Sequence, residues 1–144
     1  MIKKQIKKFI EEIAGESLPI EYYYDNSDNS FMSYVKLIRI GKVVGYTICL
    51  NKYWFNRYKK DTDIVKIALM HEVGHFKTRC HEIKQRYLQE YRAELWAHNK
   101  AKKLGMKRIV NRQKKLLNLW MHCNWIKKRP YVMAARLAKK RGII

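Results

Sequence analysis

The stretch His71-Glu72-Val73-Gly74-His75 has the pattern H-E-x-x-H. On a helix, residues four apart lie one above the other on the same face, so the two imidazoles can bind a single zinc ion at about 2.0–2.1 Å. Glu72 lies at the edge of that face, where its carboxylate can reach a zinc-bound water without binding the metal. The stretch therefore predicts a zinc (Zn²⁺) site formed by His71 and His75, with Glu72 as the catalytic general base.

The residues around this motif predict a buried helix from about Asp63 to Arg79, capped by Asp61 or Thr62. Apolar residues surround the helix on nearly all sides, which is typical of a helix with no exposed face. Gly74 lowers the helix propensity by about 1 kcal/mol relative to Ala, which indicates close approach of another backbone or of a substrate. The alternative is a chance occurrence of the short pattern in an ordinary buried helix.

A catalytic zinc site usually has three protein ligands and one open position. Glu90 and His81, which both follow His75 in the chain, are the two candidates for the third ligand. Glu90 lies on a helical face lined with alanines, which would let its helix pack closely against the motif helix. His81 has the spacing of the third histidine in H-E-x-x-H-x-x-G-x-x-H, but Thr78 stands where that pattern has glycine. We favour Glu90 as the ligand and keep His81 as the alternative metal ligand.

Other residues are candidates for supporting the chemistry. Glu94, one turn after Glu90, is predicted to hydrogen-bond a ligand histidine and fix its tautomer. The competing interpretation is that both glutamates belong to an ordinary solvated face. An oxyanion stabiliser is normally needed as well. The candidates are His98, His122, Tyr91 and Tyr131, although for each of them core or surface packing is the favoured interpretation.

Two segments together resemble a known family. His71-Glu-Val-Gly-His75 followed by Glu90-Tyr-Arg-Ala-Glu94-Leu-Trp-Ala97 is similar to the gluzincin-type zinc metallopeptidases of the ImmA/IrrE family, which are common in phages and mobile elements. The similarity covers roughly residues 40–105. Glu94 departs from the family pattern, which has Asp or Asn there, and the chain after the similar region aligns with nothing in the family.

The resemblance implies a set of roles for these residues. The implied zinc ligands are His71, His75 and Glu90, with Glu72 as the base. Members of the family are associated with cleaving transcriptional repressors, so the implied partner is a protein substrate of that kind. Some members regulate without demonstrated general protease activity. The strand Val43–Asn51 is implied to edge the cleft, where an extended substrate could pair with it.

The charge of the chain is strongly one-sided. There are 32 Lys and Arg residues against 12 Asp and Glu, a formal net charge of +20 at pH 7. From Asn99 to Ile144 there are 15 Lys and Arg residues and no acidic residue. Apolar residues continue through this region, so we expect folded helices whose basic face could bind nucleic acid through phosphate contacts and base stacking. The alternative is a solvated Lys-rich surface over the peptidase core.

The predicted elements run in the order helix, strands, then helices, which indicates an α+β fold. With the resemblance, we expect a zincin-like arrangement. It has an N-terminal helix, a small antiparallel sheet built on a β-hairpin, the H-E-x-x-H helix, a second ligand helix and a basic helical C-terminal region. The predicted bounds are helix 2–14, strand 20–24, hairpin 31–50, a connection over 51–60, and helices 63–79, 83–104, 107–125 and 130–140. We assign residues 1–105 to a metallopeptidase domain and 106–144 to an extension packed on the same domain.

Three cysteines, Cys49, Cys80 and Cys123, without framework spacing fit a reducing compartment. Lysines interrupt the first ten residues every few positions, which is unlike a signal peptide. The longest uncharged stretch, Val43 to Asn51, is too short to span a bilayer. We therefore expect a soluble cytoplasmic protein with no membrane partner, acting in the host cytoplasm if a phage encodes it.

Three functions compete on this basis. The first is a zinc endopeptidase that acts on a protein. The second is a nucleic-acid-associated regulatory protein with the same fold and little or no protease activity. The third is a catalytically silent binding module.

Overall fold

The computed structural model describes residues 1–123 and 129–144. Its elements are α1 (Lys3–Ala14), β1 (Ile20–Tyr23), β2 (Met32–Arg39), β3 (Lys42–Asn51), α2 (Lys52–Tyr58), α3 (Thr62–Lys77), a 3₁₀ helix (Cys80–Glu82), α4 (Arg86–Lys103), α5 (Lys107–Met121) and α6 (Arg129–Lys140). The predicted α+β class is confirmed. The chain divides into two compact units, Met1–Val73 and Gly74–Ile144, and the boundary falls inside α3.

Helix α1 is amphipathic, as its spacing of isoleucines predicts. Ile6, Ile10 and Ile13 are buried, while the lysines between them are exposed. Gly15 ends the helix in the left-handed region, with a φ of 75°, and its N–H donates to the carbonyl oxygen of Glu11 at 2.9 Å. Glycine adopts this conformation without the steric cost of a Cβ, so the sequence places the end of this helix correctly.

The sheet has three strands in the order β1-β3-β2. Strands β2 and β3 form the predicted antiparallel hairpin, which turns at Ile40 and Gly41 with φ values of 51° and 69°. Strand β1 pairs with the other side of β3 in parallel, from Ile20 opposite Ile48 to Tyr23 opposite Asn51. The prediction of an antiparallel sheet is therefore wrong, and the sheet is mixed. The chain reverses direction twice between β1 and β3, which gives the two strands the same direction.

Strand β3 is the central strand of this sheet. Residues Ile48–Leu50 pair with both neighbours, and Asn51 pairs with β1. Earlier in the strand, Lys42, Val43 and residues 45–47 pair with β2 alone in the described part of the chain. The implied pairing of an extended substrate along Val43–Asn51 is therefore wrong for Ile48–Leu50, where both sides of the strand are already paired. The reason is the parallel strand β1, which occupies the side of β3 that an added peptide would need. That the strand edges the cleft stays a prediction.

The segment predicted as a connection over residues 51–60 contains helix α2. Asn51 caps this helix, since its Oδ1 accepts a hydrogen bond from the Tyr53 N–H at 3.1 Å. The same side chain donates to the carbonyl oxygen of Asp25 at 2.9 Å. The Asn51 side chain thus hydrogen-bonds both a loop carbonyl and the first turn of α2. The local sequence pattern alone does not reveal this double role.

In the second unit, α5 and α6 both pack against α4. Their shared core consists of Tyr91, Leu117, Ala134, Ala135 and Ala138. The predicted ends of α4 near Gly105 and of α6 at Lys140 are confirmed. Helix α5 ends at Met121 with His122 as its C-cap, before the predicted end, and residues 124–125 of the prediction lie outside the described residues. Among the described residues, every helix is too short or too polar to cross a lipid bilayer.

Candidate metal centre

Helix α3 is buried along most of its length, as its apolar sequence predicts. Leu69, Met70 and Val73 have almost no exposed surface. Of the two predicted caps, Asp61 forms the bond, since its Oδ1 accepts from the Ile64 N–H at 3.3 Å. Polar groups on such a helix are costly to bury unless they have partners. Glu72 and His75, which are both buried on this helix, therefore need hydrogen-bond or metal partners.

Gly74 lies directly against the backbone of Ala93 on α4. A Cβ built on Gly74 would lie 2.6 Å from the carbonyl oxygen of Ala93 and 3.0 Å from its Cα. Real Cβ atoms do not approach a backbone oxygen so closely, and the contacting atoms are main chain, which cannot swing away. The predicted close approach to Gly74 is thus made by another backbone. The buried alanines on α4, which are Ala93, Ala97 and Ala101, give that helix a face of small side chains that permits this contact.

Three predicted ligands come together at this approach. His71 and His75 lie one turn apart on α3, and each of them and Glu90 on α4 offers a ligand atom within 4.8 Å of the others. The His75 Nε2 lies 3.2 Å from the Glu90 Oε2. Glu90 is only 1% exposed. Two imidazoles and one buried carboxylate form a possible metal-binding triad.

The donor set fits zinc in type and spacing. Zinc prefers imidazole nitrogen and carboxylate oxygen among other donors. Two ligand atoms bound to one tetrahedral zinc ion at about 2.0–2.1 Å lie about 3.3 Å apart, close to the 3.2 Å between His75 and Glu90. A hydrogen bond between the same two groups has a similar length, so the geometry suits a metal without identifying one.

His81, the alternative ligand, lies outside this group of converging ligand atoms. Helix α3 ends at Lys77, and Arg79 adopts a left-handed φ of 52°. His81 follows in the 3₁₀ helix, where its side chain is exposed. Among residues 1–123 and 129–144, the group of ligand atoms that converges contains Glu90 and does not contain His81. The change of direction at Arg79 carries the chain out to the surface before it enters α4.

Glu94 contacts a residue that sequence reasoning missed. Its Oε2 accepts a hydrogen bond from the Gln113 Nε2 at 2.7 Å, and its backbone oxygen accepts from the same nitrogen at 3.1 Å. The predicted bond from Glu94 to a ligand histidine stays a prediction. A signal for Gln113 exists in the sequence, since it shares the buried face of α5 with Ile109 and Leu117.

The four oxyanion candidates occupy different surroundings. Tyr91 is buried in the core of the second unit, where its hydroxyl accepts from Arg141 Nη1 at 3.4 Å. His98 is buried on α4, and His122 is exposed at the end of α5. Tyr131 on α6 forms a side-chain hydrogen bond with Arg86 at the start of α4. Tyr131 is thereby linked to Glu90, since Arg86 also contacts that predicted ligand.

The charge of the predicted general base, Glu72, affects Cys49 on strand β3. Burial raises the pKa of the Cys49 thiol, and the negative charges of Glu21 and Glu72 raise it further. Glu72 itself is 7% exposed. The Glu72 carboxylate therefore influences a thiol on the central strand β3, and both residues belong to the first unit.

His98 gives a testable pH dependence. Burial lowers its pKa below 6.5, with help from the charges of Lys102 and Lys114, while Gln113 and Glu94 act in the opposite direction. The folded protein keeps His98 neutral where the unfolded chain binds a proton, so this contribution to stability is complete above pH 6.5 and is lost as pH falls toward the folded pKa.

We expect the metal-free wild type to lose stability more steeply than His98→Gln between about pH 7 and about pH 5. Urea unfolding of the two proteins measures this difference. His122→Gln is the matched control, because His122 is exposed, and its pH profile should follow the wild type. Parallel profiles for the wild type and His98→Gln would contradict the assignment.

No family model, curated protein or solved structure matches this chain.

Proposed function

We propose that this chain is a zinc-dependent metallopeptidase with a zincin-like fold that hydrolyses peptide bonds of a protein substrate. Within that class we place it with the gluzincins, in which the third zinc ligand is a glutamate on the helix after the H-E-x-x-H helix. The observation that carries the proposal is the convergence of His71, His75 and Glu90, with Glu72 next to the first ligand in the same buried helix.

Each residue has a role that its position supports. His71, His75 and Glu90 would hold the ion and leave one position open for substrate. When bound, zinc supplies Lewis-acid polarisation of the scissile carbonyl and a lowered pKa for water. Glu72 accepts the proton of the attacking water and passes it to the leaving amine. The burial of Glu72 and His75, each 7% exposed, limits competition from bulk water.

The ligand set predicts the effect of single substitutions. We expect the wild type to bind one zinc ion per chain, and His75→Ala and Glu90→Ala to weaken binding by about 10²- to 10³-fold. Structural zinc sites gain roughly 10–16 kcal/mol from four ligands, which corresponds to about 2.5–4 kcal/mol for each ligand removed. Zinc content of the purified proteins and competition with a chromogenic chelator measure the change.

His81→Ala is the control for this experiment, because it removes an exposed imidazole outside the triad. It should bind zinc as the wild type does. Normal binding by Glu90→Ala together with loss of zinc in His81→Ala would overturn the ligand assignment in favour of the alternative.

The substrate follows from the resemblance and from charge. A transcriptional repressor encoded with a phage or mobile element is the proposed target, and the host cytoplasm is the proposed place of action. A protein with a formal net charge of +20 is attracted to acidic protein segments and to DNA, where repressors reside.

The alternative function is a nucleic-acid-associated regulatory protein with little or no protease activity. It is favoured by the exposed basic residues of α5 and α6, which include Lys107, Lys114, Lys115, Arg136 and Lys139. DNA affinity that falls steeply as salt is added would support a surface that contacts phosphates. Hydrolysis that depends on Glu72 would show that the zinc site nevertheless acts as an enzyme.

A further inference from the structure

The two oxygens of the Glu90 carboxylate face different partners. Oε2 lies 3.2 Å from the ligand nitrogen of His75, and Oε1 lies 2.8 Å from Nε of Arg86. Arg86 lies four residues before Glu90, in the first turn of α4. One oxygen is thus directed toward the metal position while the other is held by a guanidinium.

Arg86 and Glu90, the two partners of this ion pair, differ in their exposure to solvent. The Glu90 side chain is 2% exposed, whereas the Arg86 side chain is 63% exposed. A flexible surface arginine loses side-chain entropy when it is held in one orientation, and exposed ion pairs at this spacing are usually worth little. The pair of Arg86 and Glu90 should be stronger than a fully exposed pair, because its carboxylate is buried and fewer waters compete for the oxygen.

A second residue holds the arginine. The Tyr131 hydroxyl accepts a side-chain hydrogen bond from Arg86. Tyr131 belongs to α6, which packs on α4, and its ring stacks on Trp120 of α5 with ring centroids 5.3 Å apart. A continuous series of contacts therefore runs from the C-terminal helices through Arg86 to the carboxylate of Glu90.

We propose that Arg86 is a positioning residue for the metal ligand Glu90, and that Tyr131 fixes Arg86, so that the basic C-terminal helices tune the affinity of the metal centre. This inference rests on the proposed zinc site and adds residues outside the H-E-x-x-H motif. It gives the region after residue 105, which the family resemblance does not cover, a defined part in the site. Holding Oε1 leaves Oε2 as the single oxygen directed at the ion.

The test is zinc affinity of the full chain, measured by competition with a chromogenic chelator. We expect Arg86→Met to weaken zinc binding by about 10- to 100-fold, the usual effect of losing a residue that orients a ligand. Arg86→Lys should recover part of the loss, since it keeps the charge but not the planar geometry. Tyr131→Phe should weaken binding by less than Arg86→Met.

The double variant separates a chain of contacts from two independent effects. If Tyr131 acts through Arg86, Tyr131→Phe adds nothing further when Arg86 is already Met. Arg92→Met is the matched control, because Arg92 is an exposed arginine on the same helix, and its zinc affinity should equal that of the wild type. Thermal unfolding of the metal-free proteins should be alike, which excludes a purely structural effect.

The outcomes distinguish this inference from the proposed function. Wild-type zinc affinity in Arg86→Met, together with loss of zinc in Glu90→Ala, would overturn the positioning role and leave the metal site standing. A wild type that binds no zinc would overturn both. Additive losses in the double variant would overturn the role of Tyr131 alone.

Discussion

Glu72→Gln should slow peptide hydrolysis by about 10²- to 10⁴-fold while zinc remains bound. The substitution keeps the size of the side chain and removes its ability to accept a proton, so the attacking water is no longer activated. A general base contributes about 10²- to 10⁴-fold to such a rate, and we expect a loss in that range. Release of dye from a labelled unstructured protein such as casein measures the rate, and zinc content is measured on the same samples.

Glu12→Gln is the matched control for this variant. Glu12 is exposed on α1, so the same chemical change there should leave both hydrolysis and zinc binding as in the wild type. Hydrolysis by Glu72→Gln at the wild-type rate would reject the proposed chemistry. Loss of zinc from Glu72→Gln would instead make Glu72 a ligand, contrary to its assignment as base.

Gly74→Ala should destabilise the fold by about 2 kcal/mol, although alanine is the better helix former. The gain in helix propensity is about 1 kcal/mol. It is outweighed because the new methyl group would lie 2.6 Å from the Ala93 oxygen, and overpacking against a rigid neighbour costs about 1–3 kcal/mol or more. Denaturant unfolding of the metal-free proteins measures the difference in the free energy of unfolding.

Gly45→Ala provides the comparison for Gly74→Ala. A Cβ on Gly45 would meet its nearest neighbour, Leu37 Cδ1, at 4.0 Å, which is an ordinary contact. We expect the stability of this variant to stay within about 1 kcal/mol of the wild type. A Gly74→Ala protein as stable as the wild type would mean that α3 and α4 lie farther apart than their backbone contact indicates.

The helices and the triad were the most predictable parts of this molecule. Helical spacing of apolar residues located α1, α3 and α4, and glycines in the left-handed region marked the ends of α1 and α4 at Gly15 and Gly105. The choice of Glu90 over His81 followed from the alanines on α4, since only small residues allow a helix to bring a short side chain so near its neighbour. These are local patterns, which a single sequence contains.

The parts that were not predicted depend on long-range pairing. The parallel direction of β1 requires knowing that it pairs with β3 and not with β2, and no local pattern states this. Helix α2 was missed because its cap, Asn51, also ends a strand. Gln113 and the contact of Arg86 with Tyr131 join helices that are far apart in sequence, so they become visible only after the helices pack.

The position of β3 in the middle of its sheet restricts how an extended polypeptide can join it. Along Ile48–Leu50 both sides are already paired. In the part of the chain that the structure describes, an added strand therefore has three places: outside β1, outside β2, or beside Lys42–Thr47 before β1 begins to pair. Main-chain pairing of this kind tolerates many guest sequences and discriminates mainly through alternate side chains. Selectivity for one added segment would then come from how its alternate side chains fit against the strand that it joins.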